Sequence, residues 1–175
     1  MNIIILIGMK ACGKTTVGKL LARQIGMRFV ELDNEVTRLH TLASGEDITF
    51  RELFTRHGER YFRGLESEAL TALSRENNLV ISCGGGTPMS ETNHKLFKLM
   101  GTVIYLEAGV DLLLPRILQN GIPGFFPKKT DPKTALTNIM LHRKPIYEKI
   151  ADIKIVTGTK SPPDIVKNIL RKLNI

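Results

Sequence analysis

The chain contains no tryptophan and few aromatic residues of any kind, which bears on the partners it can bind. Aromatic side chains make up 6% of the sequence. Proteins that bind single-stranded nucleic acid stack the bases on aromatic side chains placed among basic ones. No such stacking motif is present here, so we expect no nucleic-acid partner.

Cysteines and long apolar runs are also scarce. The two cysteines, Cys12 and Cys83, are too few for a disulfide framework and predict a reduced, cytoplasmic protein. The longest apolar run covers residues 3–7, far short of the roughly 20 residues that span a bilayer. No basic stretch precedes it, as a signal peptide would require. We therefore expect no membrane partner.

Positive charge is abundant and unevenly distributed. The 175 residues are 42% hydrophobic, which suits one domain, 1–175, with a sizeable core. Residues 1–115 hold 13 basic and 13 acidic side chains, whereas residues 116–175 hold 12 and 4. The whole excess of +8 therefore lies in the last third, where it attracts anions such as phosphates or simply solvates a surface.

Apolar runs alternate with segments of helical spacing along the chain. Strands are predicted at residues 2–7, 28–32, 79–82 and 102–106, and an alternating edge strand at 152–157. Helices are predicted after residue 14, from a capping box at Thr49 and Glu52 to Gly58, over 60–77, and after Ser161. This alternation indicates an α/β domain with a parallel sheet.

One long segment, residues 119–132, fits neither a helix nor a strand. It contains two glycines and three prolines within 14 residues. In a compact domain, a loop of this length commonly acts as a lid or a binding loop. Phe125 and Phe126 lie within it, either to close over a site or to anchor the loop on the body of the protein.

The strongest motif is a phosphate-binding loop at residues 8–15. Its sequence, GMKACGKT, fits G-x-x-x-x-G-K-[ST], follows a predicted strand and opens a predicted helix. Consecutive backbone N–H groups and the helix N-terminus form a cradle for phosphates, and Gly13 lets the backbone approach them. Lys14 is expected to reach the β- and γ-phosphates, and the Thr15 hydroxyl to ligate Mg²⁺. The fold class is therefore a P-loop three-layer sandwich with a five-stranded parallel sheet.

Two further features follow strands of the predicted sheet. Asp33 comes after the second strand, and three glycines, 84–86, come after the third. Ligands of open α/β sheets bind at the carboxyl ends of the strands, so both features are expected near the γ-phosphate. Asp33 would orient or deprotonate an attacking hydroxyl; taken alone, it is better explained as a helix N-cap.

The sequence resembles the shikimate kinase family over nearly its whole length. The segments that carry the resemblance are GMKACGKTT at 8–16, ELD at 31–33, GERYFRGLE at 58–66, GGG at 84–86 and RKPIY at 143–147. GERYFRGLE and RKPIY are specific to this family, whereas the phosphate loop is not.

The resemblance implies a kinase that transfers the γ-phosphoryl group of MgATP to the 3-hydroxyl of shikimate, in aromatic amino-acid biosynthesis. It implies that Asp33 binds the ring hydroxyls and acts as the base, that Arg63 and Arg143 grip the shikimate carboxylate, and that Gly85 contacts the substrate. Two arginines facing a carboxylate give charge-assisted, fork-shaped recognition. The alternative for each arginine is a surface ion pair, with Glu66 or Glu148 as the acidic partner.

The nucleotide side follows from the same resemblance. Arg116 would lie against adenine, and Thr159 and Lys160 on the other edge of the nucleotide. The remaining ATP-binding residues would be those of the phosphate loop and the first helical turn: Ala11, Cys12, Gly13, Lys14, Thr15 and Thr16. The expected partners are ATP and shikimate alone, bound by a monomer, with a substrate-binding helical segment at about 34–66.

Three positions depart from the family pattern. The family's lid usually carries an arginine that reaches the phosphates, and residues 121–126, GIPGFF, lack it. We expect Lys128 or Lys129 to replace it, with Lys10 as the next candidate. Two smaller changes affect the acidic pair, which begins with Glu31 instead of aspartate, and the loop, where Ala11 replaces a frequent glycine.

These departures keep two other functions open. One is a nucleotide-binding module with weakened catalysis, and the other is a small-molecule kinase with a different acceptor. The four histidines show no metal-ligand spacing and are predicted to have surface or capping roles: His40, His57, His94 and His142. Cys12 and Cys83 are either sensitive thiols beside the nucleotide or buried, inert ones.

Overall fold

Five parallel strands form the centre of the protein, and helices flank the sheet they make. The computed structural model describes residues 3–119 and 121–175. The strands lie in the order β2-β3-β1-β4-β5, and all four neighbouring pairs are parallel. The predicted fold class is confirmed.

Strands and helices alternate from the beginning of the described chain to its end. The strands are β1 (Ile3–Ile7), β2 (Arg28–Glu31), β3 (Leu79–Ser82), β4 (Thr102–Glu107) and β5 (Ile153–Val156). The helices are α1 (Lys14–Gln24), α2 (Leu32–Ser44), α3 (Phe50–Leu73), α4 (Glu91–Met100), α5 (Val110–Leu118), α6 (Pro132–Ile150) and α7 (Pro162–Leu173). A single 3₁₀ turn, Thr87–Met89, follows β3.

The middle strand, β1, is buried along its whole length and forms the core of the sheet. Ile5 pairs with Ile81 of β3 on one side and with Val103 of β4 on the other. An uninterrupted apolar run is typical of a parallel strand covered on both faces. The predicted strand is confirmed over residues 3–7, and Asn2 lies outside the described residues.

The helix starts agree with the capping signals in the sequence, but α3 does not stop where it was predicted to. Thr49 accepts a hydrogen bond from the Glu52 backbone N–H, and the Glu52 carboxylate accepts one from the Thr49 N–H. Gly58 was expected to end this helix. It is instead a kink (φ 79°, ψ 173°) after which α3 continues, ending at Leu73, short of the predicted residue 77. Glycine permits this positive φ, so the chain turns and resumes its helix.

The irregular segment is a loop that rests on the body of the protein. Residues 121–131 contain no helix or strand, as predicted, while Asn120 within the predicted lid lies outside the described residues. Phe126 is buried and packs edge-to-face against Phe125, which is 37% exposed. Phe126 therefore anchors the loop, and Phe125 remains at its surface.

Nothing in the described chain is suited to span a bilayer: no helix there is both long enough and sufficiently apolar.

Candidate active site

The residues singled out in the sequence meet along the carboxyl edge of the sheet. The phosphate loop leaves the end of β1, Glu31 and Asp33 follow β2, and the triple glycine follows β3. Thr159 and Lys160 follow β5 at the far end of the same edge. Parallel strands bring all these segments to one side of the sheet, which is where α/β proteins bind their ligands.

The phosphate loop has a backbone that only a few residue types tolerate. Gly8 and Gly13 have φ values of 139° and 99°, and a Cβ at Gly8 would lie 2.5 Å from the Leu106 carbonyl oxygen. Ala11 also takes a positive φ, 65°, a conformation that costs alanine more than glycine. The loop is therefore built by its backbone, and Ala11 is a strained point in it.

Lys14 lies inside the loop. Its side chain is buried, and the ammonium donates to the Gly8 and Met9 carbonyl oxygens at 3.0 and 2.9 Å. These bonds hold a positive charge at the centre of the loop. Thr15 and Thr16 are exposed in the first turn of α1, where helix N–H groups are free to bind an anion.

Asp33 is positioned as a proton acceptor. It is the second residue of α2, whose N-cap is Glu31, so the N-cap interpretation of Asp33 is wrong. Burial raises the pKa of Asp33 to about 6, with further raising by the negative charges of Glu66 and Glu31. The positive charges of Lys14 and Arg63 act in the opposite direction. A carboxylate with its pKa near the working pH is suited to general base catalysis.

The triple glycine forms a wall with no side chains between these groups. A Cβ at Gly84 would lie 3.0 Å from Asp33 Oδ1, and one at Gly86 would overlap the Arg63 guanidinium. Side chains here would therefore displace the two residues that the sequence assigned to substrate binding. None of these three glycines has a positive φ, so the backbone conformation does not require glycine here. Glycine is required because the Asp33 and Arg63 side chains lie so close to the backbone.

Arg63 is held by a buried acid that the sequence analysis named only as a possible surface partner. Its Nη1 donates to Glu66 Oε2 at 2.5 Å, and Glu66 is completely buried. Thr87 Oγ donates to the other Glu66 oxygen, also at 2.5 Å. Burial raises the pKa of Glu66, although the Arg63 charge and the Thr87 bond lower it. Glu66 thus positions Arg63, and its place as the last residue of GERYFRGLE is the signal that could have identified it.

Arg143 approaches from α6, on the other side of the glycines. Its Nη1 lies 3.5 Å from where a Cβ of Gly85 would be, and its guanidinium lies 5.9 Å from the centre of the Phe125 ring. Tyr147, four residues on, is buried and donates to the Gly85 carbonyl oxygen at 2.5 Å. Tyr147 ties α6 to the glycine wall, and this role of the last residue of RKPIY was missed from the sequence.

The nucleotide-side residues border the phosphate loop and the end of β5. Arg116 is exposed, and its Nη1 donates to the Ala11 carbonyl oxygen at 3.3 Å. Lys160 is also exposed and donates to the Val156 carbonyl oxygen at 3.1 Å, beside exposed Thr159. The structure therefore brings Arg116 to the loop and leaves Lys160 at the edge of the sheet.

The cations near the lid differ in their surroundings. Lys128 and Lys129 are exposed, and in the described parts of the chain neither makes a hydrogen bond or ion pair. Lys10 is half-buried, with its ammonium 6.0 Å from the centre of the Phe125 ring. Burial lowers the pKa of Lys10, as does the charge of Arg51, while the charge of Asp33 raises it. Of these three lysines, Lys10 is therefore the one whose ammonium faces the site.

The oxygen ligands that the site offers fit a hard divalent cation. Glu31 accepts a hydrogen bond from Ser82 Oγ at 2.6 Å, which orients its carboxylate at the end of β2. Together with the exposed Thr15 hydroxyl, it offers the oxygen ligands that Mg²⁺ prefers. The Glu31 side chain thus presents an oriented carboxylate at the end of β2.

Both cysteines are buried beside the site. Cys12 is 1% exposed and Cys83 is fully buried. Burial raises the pKa of the Cys83 thiol, which disfavours the reactive thiolate. The interpretation as two buried, reduced thiols fits this structure better than that of accessible redox sensors.

Comparison with known proteins gives a consistent result. The family model described as shikimate kinase matches residues 10–174. A shikimate kinase from Bordetella avium is 35% identical over 97% of this chain and 78% of its own length. One from Alkaliphilus oremlandii is 37% identical over 95% and 96%. The structure of a shikimate kinase from Acinetobacter baumannii in complex with shikimate superposes with a TM-score of 0.88 and 29% identity, covering 99% of this chain and 93% of that one. On these matches, together with the phosphate loop, Asp33 and the two arginines around the triple glycine, the chain belongs to the shikimate kinase family.

Proposed function

We propose that the protein transfers the γ-phosphoryl group of ATP to the 3-hydroxyl of shikimate. The observation that carries the substrate assignment is the placement of Arg63 and Arg143 at the triple glycine, close to Asp33. The two guanidinium groups offer paired donors to a carboxylate, and the acceptor of a nucleotide kinase has no matching group. The membership of the family supports the same assignment.

Asp33 serves as the base in this proposal. Its carboxylate takes the proton of the 3-hydroxyl while that oxygen attacks the γ-phosphorus in line, and the bond from phosphorus to the β,γ-bridging oxygen breaks to release ADP. The raised pKa of Asp33, about 6, strengthens it as a proton acceptor near neutral pH. Glu66 acts on the reaction indirectly, because it holds Arg63 in place.

The phosphate loop holds the donor. The Lys14 ammonium meets the β- and γ-phosphates, and the backbone N–H groups of residues 11–16 donate hydrogen bonds to the phosphate oxygens. Thr15 and Glu31 would hold Mg²⁺, which neutralises charge on the phosphates when bound. Arg116 covers adenine from the loop side, with Thr159 and Lys160 opposite.

Lys10 supplies the lid-side charge that an arginine supplies in relatives. It lies against Phe125 of the lid and within reach of the charges of Asp33 and Arg51. A lysine provides charge without the bidentate fork of arginine. The lid lysines, Lys128 and Lys129, then remain solvated.

The remaining parts of the proposal concern the whole chain. Residues 1–175 act as one kinase domain, with a substrate-binding helical segment at about 34–66 and a lid at about 119–132. The active unit in this proposal is a monomer. A cytoplasmic setting suits an ATP-consuming enzyme with two buried free thiols.

The substrate assignment is tested with Arg63→Lys and Arg143→Lys. Each variant keeps the charge but loses the fork, so the KM for shikimate should rise by about 10–100-fold while the KM for ATP stays within about twofold. Arg75→Lys, at an exposed position at the end of α3, is the matched control and should change neither. An unchanged shikimate KM in both site variants contradicts the assignment.

A further inference from the structure

A second cluster of metal-ligating side chains lies outside the site described above. His40 at the end of α2, Glu46 in the following loop and His57 in α3 place one ligand atom each within 4.8 Å of the others. His40 Nε2 lies 3.5 Å from Glu46 Oε2, and His57 Nε2 lies 3.9 Å from the same oxygen. The sequence predicts surface or capping roles for these histidines; His40 is buried, so the surface role is wrong for it.

These separations are close to those of ligands around a single ion. With metal–ligand distances of about 2.0–2.2 Å, two ligands of a tetrahedral zinc lie roughly 3.4 Å apart. The two measured separations exceed this by a few tenths of an ångström, which rotation of the exposed Glu46 and His57 side chains can close. The third pair, His40 and His57, keeps its ligand atoms within 4.8 Å, so rotation of the exposed His57 ring is also what brings this pair onto one ion.

The surroundings of His40 also suit a metal ligand. Its other ring nitrogen, Nδ1, lies 3.0 Å from the Tyr61 hydroxyl. Metal-bound histidines commonly donate their second N–H to an oxygen, which fixes the ring and its tautomer. With Nδ1–H donating to Tyr61, Nε2 carries the lone pair. Ser44 Oγ lies 3.2 Å from Nε2, but its hydroxyl proton is donated to the His40 carbonyl oxygen at 2.8 Å, which leaves the Nε2 lone pair for a metal ion. His40 is also almost fully buried, so its ring has little freedom to turn away.

We propose that His40, Glu46 and His57 bind one divalent late transition ion of the Zn²⁺ class, with water completing the coordination. Two imidazoles and a carboxylate select such ions over Mg²⁺, which prefers oxygen ligands alone. The site is distinct from the magnesium position proposed at the phosphate loop.

The ion would fasten the connection between α2 and α3. These helices carry Asp33 and Arg63, which lie seven residues before His40 and six residues after His57. The α2–α3 connection begins at Gly45 and α3 itself kinks at Gly58, two points of positive φ at which the backbone changes direction. A bound ion would hold the ends of this connection together, so its main measurable effect is on stability.

The experiment uses the full chain, treated with a chelator and studied without ATP, which would itself bind the ions. Co²⁺ is titrated as a visible probe, because four- or five-coordinate Co²⁺ absorbs far more strongly than the aqua ion. We expect one equivalent to bind, Zn²⁺ to displace it, and Zn²⁺ at about 100 times its Kd to raise the Tm by about 5–10 °C.

Four variants, one of them a control, separate this site from other metal-binding groups. His57→Ala and Glu46→Gln change partly exposed side chains, and each should weaken Zn²⁺ binding by about 100-fold or more. Tyr61→Phe should weaken it by about tenfold, through the lost acceptor for Nδ1–H. His142→Ala, at an exposed histidine outside the cluster, should bind as the wild type does.

Two results would overturn the proposal. One is the absence of stoichiometric Co²⁺ or Zn²⁺ binding by the wild-type chain. The other is binding that His57→Ala and Glu46→Gln leave intact, or that a Cys12→Ser, Cys83→Ser double variant abolishes. Circular dichroism and the Tm without metal establish that each variant is folded, so that a loss of binding reports on the ligands.

Discussion

At the scale of single residues, the site is organised by groups that do not touch the substrate in our proposal. Glu66 orients Arg63, Tyr147 ties α6 to Gly85, and Ser82 orients Glu31. Each is a buried or half-buried partner whose hydrogen bond fixes a functional group. Such support is what keeps a site rigid enough for catalysis.

Lys14 is the residue whose loss should affect chemistry most. Lys14→Met removes the charge that meets the transferring phosphoryl group, and kcat should fall by about 10²–10³-fold. The Gly8 and Met9 carbonyl oxygens lose their donor, so the free energy of unfolding should fall by about 1–3 kcal/mol without loss of the fold. Steady-state rates and thermal melts measure both effects. Wild-type turnover in this variant would show that the loop is not the catalytic phosphate site.

If Asp33 is the base, kcat/KM for shikimate should decrease at low pH. Because its pKa in the folded protein is about 6, kcat/KM for shikimate should fall as the pH drops below about 6, where the base becomes protonated. Asp33→Asn should lower the rate and remove this dependence. A profile that is flat from pH 5 to 8 in the wild type would contradict the role of Asp33 as base.

The same group also links stability to pH. The folded protein binds the Asp33 proton more tightly than the unfolded chain, since burial raises this pKa from 3.8 to about 6. Ionisation therefore costs folding free energy as the pH rises through this window, and Asp33→Asn should be more stable than the wild type at pH 7, by about 1–3 kcal/mol. Below pH 4 the difference should vanish. Denaturant melts at pH 4 and pH 7 provide the comparison.

At the scale of elements, the phosphate loop carries a strained residue that glycine would relieve. Ala11→Gly should raise the free energy of unfolding by about 0.5–1 kcal/mol, because the left-handed conformation costs alanine more than glycine loses in chain entropy. Ala43→Gly in α2 is the control and should be destabilising by a similar amount. A destabilised Ala11→Gly variant would argue against strain at this position.

Which lysine supplies the lid-side positive charge depends on which segment of the chain faces the phosphates. Lys10→Ala should lower kcat by about 10²–10³-fold, with a much smaller change in the KM for shikimate, because the contact forms mainly in the transition state. The Lys128→Ala, Lys129→Ala double variant should keep kcat within about twofold. The reverse pattern would return the role to the lid lysines that the sequence analysis favoured.

The structural features that the sequence predicts correctly are those that depend on residues close together in the chain. The strand, loop and helix around residues 8–15 and the capping box at Thr49 depend on neighbouring residues, and both are observed as predicted. Helix α6 carries Pro145 and α3 continues past Gly58, two signals that usually end a helix. In both cases packing against the rest of the protein outweighs the local preference.

At the scale of the whole molecule, the sequence could not show which distant residues come together. The approach of His40 to His57, and of Lys10 to Phe125, is set by how helices and the lid pack on the sheet. The hydrophobic periodicity of the sequence contains no information about distances between such residues. The motifs succeed because each short segment follows a strand of one parallel sheet, so that topology alone brings the segments to the same edge.

We propose above that Asp33, Lys14 and two arginines phosphorylate shikimate with ATP. The most direct test is ADP release by the purified chain with MgATP and millimolar shikimate, with phosphorus NMR to identify the product and Lys14→Met as the inactive control. We expect one ADP and one shikimate 3-phosphate per turnover, and only background ADP when the methyl ester of shikimate replaces the acid. ADP release that shikimate does not raise above background would contradict it.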